Sequence, residues 1–132
     1  MSWRGTWRNE FGSIVEIIDD ADHVIRGSFT TALTDSAFHG QTVPILGVHR
    51  GDCISFAAAA ATGSGDVVVS YTGLLRDDKL ETLWFVAADQ RLKAAGPGEP
   101  ASLEKQSWWR AMTTNRDTFE RIASRPGPRS LR

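Results

Sequence analysis

The chain has 132 residues, with 15 Lys and Arg against 16 Asp and Glu, a formal net charge of −1 and 41% hydrophobic residues. This length and composition predict one globular domain, and the near-neutral charge argues against the basic surface that nucleic-acid binding needs. A single Cys excludes a disulfide scaffold, and no apolar run is long enough to span a bilayer. Five Trp in so short a chain indicate wide surfaces that must be covered.

Short apolar or alternating segments, separated by turn residues, follow one another through the first two thirds of the chain. The segment 24–31 is the clearest, because its residues alternate with a period of two. A polar, Gly-containing loop is predicted at 33–41. The predicted strands are 7–9, 13–19, 24–31, 43–49, 53–60, 67–74 and 79–87. Their regular recurrence favours an all-β sandwich or barrel.

The chain changes character after residue 89. The Pro- and Gly-rich stretch 94–100 predicts a long loop, and 102–106 predict a helical turn. Residues 107–113 predict an eighth strand, in which Trp108 and Trp109 point to opposite faces. The Pro- and Arg-rich end, 124–132, predicts a disordered tail after a single domain that spans 1–123.

Eight short strands joined mostly by hairpins predict an eight-stranded antiparallel up-and-down β-barrel, which leaves no open sheet edge and can hold one small ligand. The sequence has no zinc-ligand spacing, dinucleotide fingerprint, P-loop or nucleophile elbow, so neither a metal nor a cofactor is expected. Cys53 is predicted to be a buried, inert thiol. The start MSWRGTW lacks the pattern of a signal peptide, which predicts a cytoplasmic location and no membrane partner.

The sequence also carries an ordered series of motifs. Gly5-Thr6-Trp7 is shared by lipocalins and avidins, and by itself it indicates only that Trp7 closes one end of a barrel. It extends here to GTWRNEFGS at 5–13. The later segments are GSFTTAL at 27–33, ILG at 45–47, TLWFV at 82–86, and Trp109 followed eight residues later by DTF at 117–119. In this series, over residues 5–122, the sequence resembles the avidin and streptavidin family, whereas a lipocalin carrier would share only the start.

The resemblance implies a polar site for the ureido head of biotin. In the family an Asn, a Ser and a Tyr donate hydrogen bonds to the ureido oxygen. Asn9 and Ser13 match the first two, but Phe29 stands at the Tyr position and has no hydroxyl. Thr31 and Asp117 match the residues that hold the ureido N–H groups.

The resemblance also implies an apolar box of four Trp. Trp84 matches one wall, and Trp109 matches the wall that a neighbouring subunit lends, which implies a homo-dimer or homo-tetramer. The two other Trp positions fall at Ala60 and Tyr71. The hydroxyls expected to meet the thioether and the carboxylate fall at Val69 and Val67. The predicted ligand-binding residues are therefore Asn9, Ser13, Phe29, Thr31, Ala60, Val67, Val69, Tyr71, Trp84, Val86, Trp109 and Asp117.

These departures disfavour tight biotin binding, because they remove one donor, open space beside the ligand and leave a carboxylate without partners. The polar end of the site is retained while the other end becomes roomier and more apolar. The sequence therefore predicts a small-molecule binder for an amide- or urea-like head on an apolar body, with biotin bound weakly or replaced. The loop 89–106 is placed where it would cover or obstruct the mouth.

An enzyme on the same barrel is the alternative, a cyclase or isomerase of a hydrophobic carbonyl metabolite. Asn9 and Ser13 would polarise the carbonyl, and Asp117 would be the catalytic acid or base. Simpler interpretations are that Asp117 caps a turn, that Asn9 and Ser13 only form a turn, and that Trp109 is a core residue.

Overall fold

A computed structural model describes residues 2–32, 40–93 and 95–124. Its elements, in chain order, are β1 (Gly5–Asn9), β2 (Ile14–Asp19), the 3-10 turn η1 (Ala21–His23), β3 (Val24–Thr30), β4 (Thr42–Arg50), β5 (Cys53–Thr62), β6 (Gly65–Arg76), β7 (Lys79–Ala88), β8 (Gln90–Lys93), β9 (Ser102–Lys105), α1 (Trp108–Ala111) and β10 (Met112–Ser124). Neither of the described helices is long and apolar enough to cross a membrane.

Eight of the strands close into one antiparallel barrel. The order around the barrel is β1-β10-β7-β6-β5-β4-β3-β2, so each strand pairs with its chain neighbour until β10 closes the sheet between β7 and β1. Burial alternates along the strands as the period of two requires: Val67, Val69 and Tyr71 of β6 face inward, while Val68 between them is exposed. The prediction of an eight-stranded up-and-down barrel is confirmed.

The connection between β7 and β10 differs from the prediction. Residues 102–105 form strand β9 rather than a helical turn, because they pair with β8 from Gln90↔Lys105 to Lys93↔Ser102. The prediction of a strand at 107–113 was also wrong. Trp108 begins the one-turn helix α1, and the eighth barrel strand begins at Met112, where pairing with β7 starts at Ala87.

The interpretation of Cys53 as a buried thiol was wrong as well. Cys53 is the first residue of β5 and is exposed, while the next residue, Ile54, is buried in the core. Apolar neighbours in the sequence do not decide which of the two strand faces a residue occupies. Most of the loop predicted at 33–41, namely residues 33–39, and nearly all of the predicted tail, residues 125–132, lie outside the described residues.

Aromatic side chains close one end of the barrel. Trp3 and Trp7 are both 1% exposed, and the Trp7 indole Nε1 donates to the Trp3 carbonyl at 2.9 Å. The Arg121 guanidinium lies 4.5 Å from the Trp7 ring centroid and donates through Nη1 to the Arg4 carbonyl at 3.1 Å. Trp7 is therefore a structural residue, and access to the barrel interior is left to the opposite end.

Candidate ligand-binding site

A buried polar cluster lies inside the barrel toward that opposite end. Asn9, the last residue of β1, donates from Nδ2 to Asp117 Oδ2 of β10 at 3.0 Å. The turn after β1 holds the Asn9 amide in place, since Asn9 Oδ1 accepts from the backbone N–H groups of Phe11 at 3.0 Å and Ser13 at 2.9 Å. This orientation points the amide N–H group, and not its oxygen, at Asp117.

Ser13, just before β2, and Thr31, just after β3, extend the cluster. Both side chains are buried, and their hydroxyl oxygens are 3.2 Å apart. Ser13 Oγ also accepts from the backbone N–H of Ala32 at 3.0 Å. Asn9 and Ser13 do form a turn, and this turn places both side chains in one buried cluster with Asp117.

Asp117 offers an acceptor atom to a ligand. Its backbone carbonyl accepts from Thr82 Oγ1 at 2.8 Å, which ties β10 to β7. Oδ2 accepts from Asn9 Nδ2 and, at 3.4 Å, from the Tyr71 hydroxyl. Oδ1 has no hydrogen-bond partner among the described residues. A residue that merely capped a strand end would be exposed, whereas Asp117 is 6% exposed.

Three aromatic rings pack around the ring of Tyr71. Its ring stacks on Phe56 with centroids 5.3 Å apart, contacts Phe119 edge-on at 5.6 Å and lies 5.8 Å from Phe29. Burial, and secondarily the negative charge of Asp117, raise the pKa of the Tyr71 phenol well above its ordinary value of 10.0. The hydroxyl is therefore a neutral hydrogen-bond donor at physiological pH.

The remaining predicted apolar residues lie on the same side of the barrel. Val67 and Val69 are buried, and Ala60 sits opposite Val67 in the β5–β6 register. Ala60 and Val86 are half-buried and pack against the core. An open cleft of about 670 Å³ reaches this region and continues over the barrel rim; it is lined by Ala59, Ala60, Ala61, Asp66, Val67, Val68, Ala87, Ala88, Asp89, Gln106, Trp108, Ala111 and Met112.

The two predicted Trp walls are placed differently. Trp84 of β7 lies opposite Tyr71 and is half-buried, and its indole Nε1 is buried without a hydrogen-bond partner in the described part of the chain. Trp109 is 58% exposed on α1, where the Arg110 guanidinium lies 4.7 Å from its ring centroid. Trp109 is therefore not a core residue of this chain, and Trp108 lines the cleft instead.

Sequence reasoning missed three residues that shape the site: Phe56, Phe119 and Trp108. Phe119 could have been found, because it is two residues beyond Asp117 and so faces the same side of a strand. Phe56 and Trp108 carried no comparable signal, since their roles depend on register with β6 and on the helix at α1. Among the described residues, no three His, Cys, Asp or Glu side chains are grouped as a metal site needs.

These contacts define what the site can bind. The second amide hydrogen of Asn9 is available to a ligand acceptor, and Asp117 Oδ1 is available to a ligand donor. A group that presents a carbonyl oxygen beside an N–H fits both, and an apolar body fits the Val- and Ala-lined end. The chemistry of this arrangement suits a small-molecule ligand inside the barrel.

Comparison with known proteins agrees with this assignment. The family model described as the Avidin family matches residues 1–122. The chain belongs to the avidin family. No curated protein matches the sequence.

Solved structures share the fold at low sequence identity. The bradavidin2–biotin complex is 20% identical with a TM-score of 0.66, covering 92% of this chain and 99% of that one. The rhizavidin–biotin complex is 18% identical with a TM-score of 0.66, covering 96% and 97%. Apo shwanavidin is 18% identical with a TM-score of 0.68, covering 92% and 100%.

Proposed function

We propose that this protein is a non-catalytic binder of a small molecule with an amide- or urea-like head and an apolar body. The observation that carries the proposal is the Oδ1 of buried Asp117, which has no partner in the described part of the chain and lies beside the fixed Asn9 amide. This oxygen is not sealed from solvent, since among the described residues Trp84 Nε1 is the one side-chain polar atom that is both buried and unpartnered. A ligand N–H that reaches Asp117 Oδ1 replaces water as its donor, and a hydrogen bond to a charged group is among the stronger ones in proteins. The biotin complexes of bradavidin2 and rhizavidin, which share the fold, support a head of the ureido type.

Biotin itself is bound weakly under this proposal. Val67 and Val69 present methyl groups on the inner face of β6, so they donate nothing to a thioether or a carboxylate. Ala60 leaves open a volume that a large aromatic wall would fill. The pocket therefore favours a wider, uncharged apolar body over the valerate tail of biotin.

The test is isothermal calorimetry of the purified chain with biotin, its methyl ester and 2-imidazolidinone, which is the bare urea head. We expect saturable heat with all three, and tighter binding of the methyl ester than of the acid. D117A is the matched control and should weaken binding of each probe. Absence of saturable heat with every probe, at concentrations up to the millimolar range, would contradict the proposal.

We further propose that the site is completed by a second copy of the chain, as a homo-dimer or homo-tetramer. Trp109 supports this, because a large indole is 58% exposed on a short helix at the cleft end of the barrel. An indole that serves as a wall in a neighbour's site gains its burial only in the assembly. Light scattering gives the subunit number. W109A should lower ligand affinity while L92A, on the exposed face of β8, leaves it unchanged; equal affinities would oppose a lent wall.

An enzyme on the same barrel stays as the second candidate. What favours it is Asp117, a carboxylate that is buried beside the Asn9 amide and has one oxygen without a hydrogen-bond partner among the described residues. Asn9 and Ser13 would then polarise a substrate carbonyl. D117N separates the two functions: it should abolish turnover of a carbonyl substrate while retaining much of its binding. Turnover unchanged in D117N would exclude Asp117 as the catalytic acid or base.

A further inference from the structure

Tyr71, the one tyrosine of the chain, places a hydroxyl in the polar cluster from a strand that otherwise lines the apolar half. The hydroxyl is 3.4 Å from Asp117 Oδ2, whereas Asn9 Nδ2 is 3.0 Å from the same oxygen. Hydroxyl hydrogen bonds are most common near about 2.7–2.8 Å. The Tyr71 hydroxyl is therefore held loosely by an acceptor that already has a better donor.

The ring of Tyr71, by contrast, is held firmly. Phe56 stacks on one side at 5.3 Å, and Phe119 meets it edge-on at 5.6 Å. The side chain is 6% exposed. The oxygen is consequently fixed in place, and rotation about the C–O bond is the remaining freedom of the donor.

Phe29, a neighbour of Tyr71, has no hydrogen-bond donor in its side chain. It lies beside Tyr71, with ring centroids 5.8 Å apart, and is buried on β3, the strand that pairs with β2. It offers no polar side-chain atom to the cluster. Phe29 has no hydroxyl, and the ring next to it, Tyr71 of β6, has one.

We propose that Tyr71 determines the head-group specificity of this site, because its hydroxyl turns from Asp117 to donate to the carbonyl oxygen of the bound amide or urea. The inference rests on the proposed function. Asp117 Oδ2 keeps the Asn9 hydrogen bond when the hydroxyl turns away, so no buried oxygen loses its last partner.

The hydroxyl also keeps its proton over the range in which a ligand would bind. Burial raises the pKa of Tyr71, so the phenol stays a donor throughout the neutral and mildly alkaline range.

The test compares the affinities of Y71F and of the wild-type protein for biotin and for 2-thiobiotin. These probes have the same N–H groups and differ in the ureido acceptor, which is oxygen in one and the weaker acceptor sulfur in the other. We expect Y71F to weaken biotin binding by about 5- to 10-fold and thiobiotin binding by less than about 2-fold, as for loss of one hydrogen bond to the oxygen. S70A, which removes a hydroxyl from the other face of β6, should change neither.

Each other outcome has a distinct meaning. An equal loss of affinity for both probes in Y71F would show that Tyr71 acts through Asp117 and the ligand N–H groups. That result would overturn the proposal that Tyr71 donates directly to the ligand oxygen. Unchanged biotin affinity in Y71F would also overturn the proposal. Y71F keeps the ring, and its melting temperature verifies that the aromatic cluster is intact. Failure of the wild-type protein to bind either probe would overturn the Tyr71 proposal, whereas the proposed function itself is refuted only if the methyl ester and 2-imidazolidinone also fail to bind.

Discussion

Asn9 and Asp117 are 108 residues apart in the chain and are joined by a hydrogen bond of 3.0 Å inside the barrel. They meet because β10 pairs with β1, placing Asn9 opposite Phe119 at the seam where the sheet closes. The buried polar cluster around Asn9 and Asp117 therefore exists only when the first and last strands of the barrel are paired. Folding and ligand binding are expected to be coupled at this seam.

The seam can be tested with a double-mutant cycle of N9A, D117A and the double variant. A hydrogen bond to a charged group contributes about 1.5–3 kcal/mol, so the cycle should return a coupling free energy of that order in urea unfolding. Thr6 lies on β1 as well, but its hydroxyl donates to Glu16 of β2 and has no described hydrogen bond to Asp117, so T6A is the control that should show no coupling to D117A. Strictly additive effects of N9A and D117A would contradict an energetically significant bond.

Alkaline stability should depend on Tyr71. Its pKa is raised in the folded state, so the neutral form is favoured by folding, and this stability is fully present below the unfolded value of 10.0 and lost as pH rises above it. Relative to Y71F, the unchanged protein should lose about 1.4 kcal/mol of unfolding free energy between about pH 9 and pH 11. Urea unfolding at each pH measures the difference. Because the chain has one Tyr, tyrosinate absorbance reports Tyr71 alone; ionisation near its ordinary pKa in the folded protein would contradict this expectation.

A polar group at residue 67 should change the ratio of the affinities for biotin, which has a charged tail, and for its uncharged methyl ester. V67T places a hydroxyl on the inner face of β6 with little change in volume, at some cost to stability. We expect it to raise the affinity for biotin by about 2- to 10-fold, consistent with one added hydrogen bond, and to leave the methyl ester nearly unchanged. V68T, on the exposed face of the same strand, is the matched control. Calorimetry with both ligands measures the ratio, and an identical ratio in V67T and V68T would count against a tail site at Val67.

Barrel closure should also be sensitive to Gly47 of β4. A Cβ at this position would lie 2.0 Å from the Ser55 carbonyl oxygen and 2.6 Å from Phe56 Cα, so the strands must separate to accept it. G47A should destabilise the fold by about 1–3 kcal/mol or more in urea unfolding. At Gly63, in the β5–β6 turn, nothing described lies within 4 Å of an added Cβ, and G63A should stay within about 0.5 kcal/mol of the parent. Similar changes in unfolding free energy for G47A and G63A would argue against the close approach of β4 and β5 at Gly47.

The sequence predicted most of the barrel because its strands carry their own signal. Alternation along β3 and β6 and turn residues at their ends mark seven strands to within a few residues, since local spacing alone decides which residues of a strand share a face. The α1 segment was mispredicted for the opposite reason. Trp108 and Trp109 favour a strand locally, but pairing with β7 begins only at Met112, and the helix supplies the corner before it.

In the site as well, sequence motifs identify residues, whereas strand register sets the contacts between them. Motif order in the sequence selected Asn9, Ser13, Thr31 and Asp117, and all four are buried. Which oxygen of Asp117 is left open, and that the Tyr71 hydroxyl reaches the other one across the barrel, depends on register between strands far apart in the chain. No local pattern encodes such a distance.

Residue types and their spacing in the sequence therefore determined the barrel, its polar end and the absence of Trp at Ala60 and Tyr71. Tertiary structure alone decided that Cys53 is exposed, that Trp109 lies outside the core of its own chain, and that the Tyr71 hydroxyl lies 3.4 Å from Asp117 Oδ2. The physical reason is that side-chain identity and periodicity are local properties, whereas a hydrogen-bond partner and a buried face are set by strand register after closure.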